Sequence, residues 1–149
     1  MTHPDRTDAD AAILIKLSTR IAAPIERVWA VHTDIDAWAS WRTDITESHM
    51  DQPVEPGSSF HWSTPRLAID STIYSVDAPH RILWGGSGHG ITGIHLWTFE
   101  TDGDHTVVYS EMSWDGEPVR SDLENQRNGL THSLSSWLDK LRETAESAS

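Results

Sequence analysis

Alternating apolar and polar residues run along several short segments of the chain and predict strands. In segment 13–21, Ile13, Ile15, Leu17 and Ile21 share one face, and the opposite face is mostly polar, as in a strand with one buried face. Similar patterns predict six further strands, at 45–50, 59–64, 67–76, 81–84, 91–100 and 106–114. Consecutive strands joined by short turns favour an antiparallel sheet.

Helical spacing replaces this alternation in two places. Directly after the first strand, Pro24 stands where a first helical residue belongs, and Asp34 can cap a second short helix. Near the C-terminal end, an apolar stripe predicts one long helix; its members are Leu123, Leu130, Leu134, Trp137, Leu138 and Leu141. We therefore predict an α+β fold in which the long helix covers the apolar face of the sheet.

The dipeptide Asp102-Gly103 is a strong signal for a tight hairpin, and it aligns the last two strands. With these two residues as the loop, His95 lies opposite Ser110, and Trp97 lies opposite Val108. Residues that pair across strands share a face, so one face carries Ile91, Gly93, His95, Trp97, Phe99, Val108, Ser110, Met112 and Trp114. Because this face mixes large aromatic residues with small and polar ones, we expect it to line a pocket under the long helix.

The composition agrees with one domain that encloses a pocket. A chain of 149 residues has the size of a single domain, which we place at 11–149 after a disordered or frayed tail at 1–10. Eight Trp residues against two Phe and two Tyr are an unusual aromatic set. Such a set suggests bulky surfaces that line a cavity.

The charge and the missing cysteine exclude several classes of function. A formal net charge of −12 repels nucleic acids and anionic membranes, so neither is an expected partner. Without cysteine, disulfides and thiolate chemistry are excluded, and nine histidines without metal-ligand spacing give no reason to expect a metal or a cofactor. No apolar stretch suits a membrane span or a signal peptide, so we expect a cytoplasmic protein, either a monomer or a homodimer.

Two residues are candidates for catalysis. His95, on the inward face beside Ser110, could shuttle a proton as a neutral ring; the alternative is a histidine hydrogen-bonded in the core. Arg127 occupies a turn of the long helix that lacks apolar residues, where it could hold a carboxylate or an enolate oxygen at the pocket mouth. The alternative for Arg127 is an ordinary salt bridge facing the solvent.

Aromatic residues dominate the predicted ligand-binding set, because they can stack on a planar ligand as readily as they can pack a core. That set is Phe60, Trp62, Trp84, Trp97, Phe99, Ser110, Met112, Trp114, Gln126 and Leu130. The remaining tryptophans, Trp29, Trp38, Trp41 and Trp137, are expected to be mainly structural. The glycine-rich segment 85–90 leads into a strand rather than a helix, so we interpret it as a hairpin loop at the cavity entrance and not as a phosphate site.

The segment 21–29, Ile-Ala-Ala-Pro-Ile-Glu-Arg-Val-Trp, followed by Asp34 and by Trp-Ala-Ser-Trp at 38–41, resembles the opening of the START-like (SRPBCC) superfamily. The segments 77–84 and 113–116 add to this resemblance, which is strongest to the polyketide cyclase/dehydrase and lipid-transport family and covers roughly 13–144. It implies the helix-grip fold, a curved antiparallel sheet wrapped around a long C-terminal helix, with a deep apolar cavity between them.

The resemblance implies a mostly apolar, partly oxygenated small molecule as the ligand. The first hypothesis is a polyketide cyclase/dehydratase-like enzyme that favours ring closure by restricting its substrate, helped by His95 and Arg127. The second is a non-catalytic carrier of a lipid or another hydrophobic ligand that uses the same cavity. A third, a protein-interaction domain of the co-chaperone type, would require a surface patch that the sequence does not clearly show.

Overall fold

The computed structural model describes residues 4–42, 44–65 and 67–147. In these ranges the chain forms seven strands: β1 Ile13–Ile21, β2 Glu47–His49, β3 Ser59–Ser63, β4 Ala68–Asp77, β5 Arg81–Gly88, β6 Ile91–Asp102 and β7 His105–Asp115. The helices are α1 Ile25–Thr33, α2 Trp38–Trp41, α3 Glu117–Arg120 and α4 Leu123–Ser147, and a short 3₁₀ helix at Ile35–Ala37 precedes α2. The predicted elements are present in the predicted order, with α3 added.

The strands form one antiparallel sheet in the order β1-β7-β6-β5-β4-β3-β2. Strands β2 to β7 each lie beside their neighbour in the chain, and β1 pairs with β7. The curved sheet wraps around α4, which contacts the edge strand β1 and the central strands. Leu134 packs with Ile13 beside β1, whereas Trp137 and Leu141 pack with residues of α1 and of the central strands. The predicted helix-grip fold is confirmed.

The hairpin between β6 and β7 has a register two residues away from the predicted one. Asp102 pairs with His105, and Trp97 pairs with Ser110, so the two-residue loop is Gly103-Asp104 rather than Asp102-Gly103. Gly103 has φ +62°, as glycine does in the first central position of a type II′ turn. Because a shift of two residues preserves the alternation of the strand, the predicted inward face is nevertheless correct.

The glycine-rich segment 85–90 is mostly strand and not the hairpin loop that its composition suggested. Gly85 to Gly88 belong to β5 and pair with β6, so the turn is confined to His89 and Gly90. A Cβ atom on Gly85 would lie 2.3 Å from the carbonyl oxygen of Gly93, and one on Gly86 would lie 2.6 Å from that of Asp70. These glycines therefore allow the sheet to bend sharply where the strand backbones approach each other.

The N-terminal part of the fold closes one end of the sheet. Helix α1 begins at Ile25, one residue later than expected, and Pro24 is its extended N-cap residue rather than its first helical residue. The Trp38 indole nitrogen donates a hydrogen bond to the carbonyl oxygen of His32 at 2.8 Å, which joins α2 to the end of α1. Trp38 is thereby buried against the sheet.

The described part of the segment expected to be a tail, residues 4–10, contacts β7. Thr7 is buried and its hydroxyl group donates to a carboxylate oxygen of Glu111. The backbone N–H of Asp8 donates to Ser113 Oγ at 3.0 Å. Residues 1–3 lie outside the described residues, and the division into a tail and one domain stays a prediction.

Candidate functional site

A cavity of about 650 Å³ lies between the first half of α4 and the concave face of strands β3 to β7. Its apolar wall is formed by Trp62, Trp84, Met112, Trp114, Leu130 and Trp137. Its polar wall includes Arg42, Asp44, His95, Asp122 and Gln126. A volume of this size, mostly apolar with a few polar groups, suits a small organic molecule.

The cavity exists because small residues replace bulky ones at positions that face it. Gly93 pairs with Trp114 across β6 and β7, and a Cβ atom there would lie 3.1 Å from both Met112 and Trp114 side-chain atoms. On α4, Gly129 and Ser133 line the cavity beside the larger Leu130. A Cβ atom on Gly129 would meet no atom within 4 Å, so that turn of the helix leaves open space.

The structure brings seven of the predicted site residues to the cavity wall and leaves the others elsewhere. His95, Trp62, Trp84, Met112, Trp114, Gln126 and Leu130 line the cavity. Phe60, Trp97, Phe99 and Ser110 are buried but do not border it. They form the layer behind the wall, because their strands continue past the cavity into the packed core.

Arg127 is exposed and lies outside the cavity lining. The helical positions that border the cavity include Gln126, Gly129, Leu130, Ser133, Leu134 and Trp137, together with Asp122 and Asn125. These positions recur three or four residues apart and so form one face of α4. Residue 127 falls about 100° from Gln126 around the helix axis, which turns its side chain toward the solvent.

His95 lies at the base of the cavity and is fully buried, with 0% of its surface exposed. Its Nε2 atom is 2.7 Å from Ser110 Oγ, and this contact orients the ring. Burial lowers its pKa well below the ordinary value, and the electrostatic influence of the neighbouring His32 and of the Arg42 guanidinium lowers it further. The ring is therefore neutral near pH 7, with one nitrogen able to donate and the other able to accept a hydrogen bond.

Arg42 is a cavity residue that the sequence reasoning missed. Its side chain is 1% exposed, and its Nε and Nη2 atoms donate to the Asp44 carboxylate at 2.8 and 2.5 Å. Its guanidinium carbon lies 4.5 Å from the centre of the Trp137 ring, a cation–π contact. The available signal was an arginine two residues before an aspartate, between Trp41 and the buried Ile45.

The Arg42–Asp44 pair also changes the acidity of its carboxylate. Partial burial on its own would raise the pKa of Asp44, but the hydrogen bond and the charge of Arg42 outweigh it and lower that pKa below the usual value. Asp44 is therefore ionised near neutral pH, and it offsets the charge of the buried guanidinium.

Four aromatic rings pack against each other around the cavity base. The centroids of Trp62, Trp84 and Trp137 are 5.8 to 6.1 Å apart, and the Trp84 ring lies 4.9 Å from the His95 ring. Trp137, expected to be mainly structural, thus packs in the core and also borders the cavity. Within the described ranges, no group of three or more histidine, aspartate or glutamate side chains is arranged to hold a metal ion.

The sequence matches one family over almost its whole length. The family model described as polyketide cyclase / dehydrase and lipid transport covers residues 12–146. The chain belongs to this family. No curated protein matches it significantly.

Solved structures with low sequence identity share the fold of this family member. A hypothetical protein of Helicobacter pylori superimposes with a TM-score of 0.81 at 14% identity, over 97% of this chain and 99% of the other. A START superfamily protein from Mycobacterium smegmatis gives 0.73 at 14% identity, over 89% and 97%. The di-domain ARO/CYC protein BexL, from the BE-7585A biosynthetic pathway, gives 0.75 at 16% identity, over 94% of this chain and 52% of BexL. The chain thus has a START-like helix-grip fold.

Proposed function

We propose that this protein binds a mostly apolar, partly oxygenated molecule of the polyketide type in its tryptophan-lined cavity and promotes cyclisation followed by dehydration. The observation that carries the proposal is a cavity of about 650 Å³ with several tryptophans in its wall and a neutral histidine at its base. Membership of a family described as polyketide cyclase / dehydrase and lipid transport supports it. None of the described helices is long and apolar enough to cross a membrane.

Restriction of the substrate is the larger catalytic contribution in this proposal. A flexible chain with several ketone groups can fold in many ways, and a cavity that holds one folded form brings a nucleophilic carbon next to one carbonyl carbon. Holding two groups in reactive geometry is worth many orders of magnitude in effective concentration. Packed rings such as Trp84 and Trp137 form a rigid surface against which such a chain can fold.

His95 supplies the proton transfer in this proposal. In an aldol closure, a proton leaves the carbon beside one carbonyl group, that carbon bonds to a second carbonyl carbon, and the second oxygen gains a proton. Loss of water then forms a double bond. The lowered pKa of His95 makes it a weak base, so we expect its removal to slow cyclisation by about 100-fold, at the low end of general acid–base effects.

The test compares His95→Gln with wild-type protein on a synthetic linear thioester that carries several β-ketone groups. Cyclised and dehydrated products are quantified by liquid chromatography and mass spectrometry against the spontaneous reaction. His49→Gln is the matched control, because His49 is exposed on β2. Product formation at the spontaneous rate with wild-type protein would refute the catalytic part of the proposal.

Carrier function is the second candidate, and one observation favours it. Of the two predicted catalytic residues, Arg127 lies outside the cavity lining, and His95 is a weak base, so the cavity can bind a ligand without reacting with it. Native mass spectrometry of the purified protein separates the two candidates. A co-purified hydrophobic molecule recovered unchanged, together with no turnover of the thioester, would favour the carrier.

A further inference from the structure

Three residues of the cavity wall carry buried polar atoms without a hydrogen-bond partner among the described residues. These atoms are Arg42 Nη1, His95 Nδ1 and Trp137 Nε1, and all three residues border the cavity. We call this group the polar floor. Native proteins leave few buried polar groups unpaired, because each costs free energy relative to its hydrated state. Among the described residues, three of the five buried side-chain atoms without a partner belong to this cavity wall, and the other two belong to His32 and Trp97 in the packed core. The grouping of three such atoms at one cavity indicates that a ligand completes their hydrogen bonding.

Trp137 is the centre of the polar floor. The Arg42 guanidinium carbon lies 4.5 Å from its ring centroid, and the His95 ring centroid lies 5.4 Å away. Asp44 occupies the Nε and Nη2 edge of the guanidinium, so Nη1 is at the opposite corner. The Nη1 and indole N–H groups can only donate, and they therefore call for an acceptor atom on the ligand.

The charges around the cavity decide between a charged and an uncharged acceptor. Asp44 already pairs with Arg42, and Asp122 is a further acidic residue of the cavity wall. The chain as a whole carries a formal charge of −12. A ligand carboxylate would meet repulsion from these groups, and the one guanidinium among the described residues of the cavity wall, that of Arg42, is already paired with Asp44. A neutral carbonyl oxygen accepts the same hydrogen bonds without that repulsion.

We propose that the polar floor binds the carbonyl oxygen of an uncharged ketone, with Arg42 Nη1 as the main donor and Trp137 Nε1 as a secondary one. This inference rests on the proposed binding function and names the ligand group that the cavity recognises. The hydrogen bond from a charged donor strengthens as negative charge develops on that oxygen. The polar floor therefore also favours the enolate-like oxygen of an aldol closure.

The test uses three probes that share one ring system: acetylnaphthalene, naphthoate and ethylnaphthalene, each substituted at the same ring position. Dissociation constants are measured by titration calorimetry at pH 7 with wild-type protein. We expect acetylnaphthalene to bind at least about tenfold more tightly than either other probe, as a hydrogen bond from a charged donor predicts. An isotope-labelled carbonyl carbon should also move downfield on binding, and this readout needs no variant.

Arg42→Met removes the donor and keeps most of the apolar stem. We expect it to abolish the preference for acetylnaphthalene over ethylnaphthalene and to return the carbonyl resonance to its position in an apolar solvent. Trp137→Phe keeps one aromatic ring but removes the indole N–H together with the fused five-membered ring. Because the lost donor is uncharged, the expected loss is smaller, about threefold. Arg20→Met is the matched control, because Arg20 pairs with Asp102 on the exposed surface and should leave the preference intact.

The outcomes separate this inference from the proposed function. Equal affinity of wild-type protein for all three probes, or tighter binding of naphthoate, would overturn the ketone inference while leaving the cavity as a binding site. An unshifted carbonyl resonance in the wild-type complex would overturn it as well, even if Arg42→Met fails to fold. Binding of none of the probes would contradict both proposals, whereas ketone binding without thioester turnover would refute catalysis alone.

Discussion

The inward face of the β6–β7 hairpin is a packed core at one end and a cavity wall at the other. At the closed end, Trp97, Phe99 and Val108 are fully buried because α1 covers them: the Phe99 ring is 5.3 Å from Trp29 and 5.6 Å from His32. At the open end, Met112 and Trp114 are only partly buried and face the first half of α4 across open space.

The difference between the two ends comes from what lies above the sheet rather than from the strands themselves. Both ends carry large apolar residues on the same face. The closed end meets two packed helices, whereas the open end meets a helical face that contains Gly129, Ser133 and Gln126. A cavity thus results when a bulky strand face is paired with a helix face of small residues, because neither surface alone can fill the space.

The largest expected effect is on stability at the closed end. Phe99→Ala should lower the free energy of unfolding by about 3–5 kcal/mol, since it leaves a cavity in a fully packed site. Trp114→Ala at the open end should cost less, about 1–2 kcal/mol, because its ring already borders the cavity. Urea denaturation followed by circular dichroism measures both. Equal losses would mean that the two ends are packed alike.

The second prediction concerns acid sensitivity at the closed end. Burial lowers the pKa of His32 to about 3, so the folded state resists a proton that the unfolded state accepts at about pH 6.5. The contribution of His32 to the free energy of unfolding is therefore fully present above about pH 6.5. Below that pH it falls by about 1.4 kcal/mol per pH unit until the pH reaches the folded-state pKa. Between pH 6 and 4.5, His32→Phe should remove this contribution to the dependence of the free energy of unfolding on pH.

The control for the pH prediction is His49→Gln, which removes an exposed histidine. Both variants keep all carboxylates, so the acid sensitivity that those groups cause is shared and cancels in the comparison. Denaturation midpoints over this pH range provide the data. If the denaturation midpoint depends on pH in the same way for His32→Phe, His49→Gln and wild-type protein, burial of His32 does not limit stability in acid.

The smallest effect on stability, but a sharp one on binding, is expected at the open end. Gly93→Val would place new methyl groups against Met112 and Trp114, where even a Cβ atom lies 3.1 Å from existing atoms. We expect a stability loss of about 1–2 kcal/mol and at least about tenfold weaker binding of acetylnaphthalene as the cavity narrows. Thr92→Val introduces the same residue type at the neighbouring, exposed position, and it should change neither the free energy of unfolding nor the affinity for acetylnaphthalene. Undiminished binding by Gly93→Val would show that this part of the cavity stays empty.

The hairpin and the predicted long helix show how far the sequence could be interpreted. The Asp102-Gly103 signal placed the turn one residue early, which shifts the pairing of the two strands by two residues. Because strand alternation has a period of two, the predicted inward face is still correct. Arg127 was expected at the pocket mouth because it interrupts an apolar stripe. An interrupted stripe does not say which way a single residue turns, and in the folded helix Gln126 faces the cavity while Arg127 faces away.

The sequence by itself determined the strand faces and the long helix, because these depend on local periodicity. Its motifs at turns and helix starts carried the resemblance that implied the family and the helix-grip fold. Only the tertiary structure decided which polar groups meet in the cavity. Arg42 follows a short helix, His95 lies on β6 and Trp137 lies on α4, far apart in the chain and without a shared local pattern. They meet because the curvature of the sheet around α4 joins them, and such long-range packing is not encoded in the spacing of neighbouring residues.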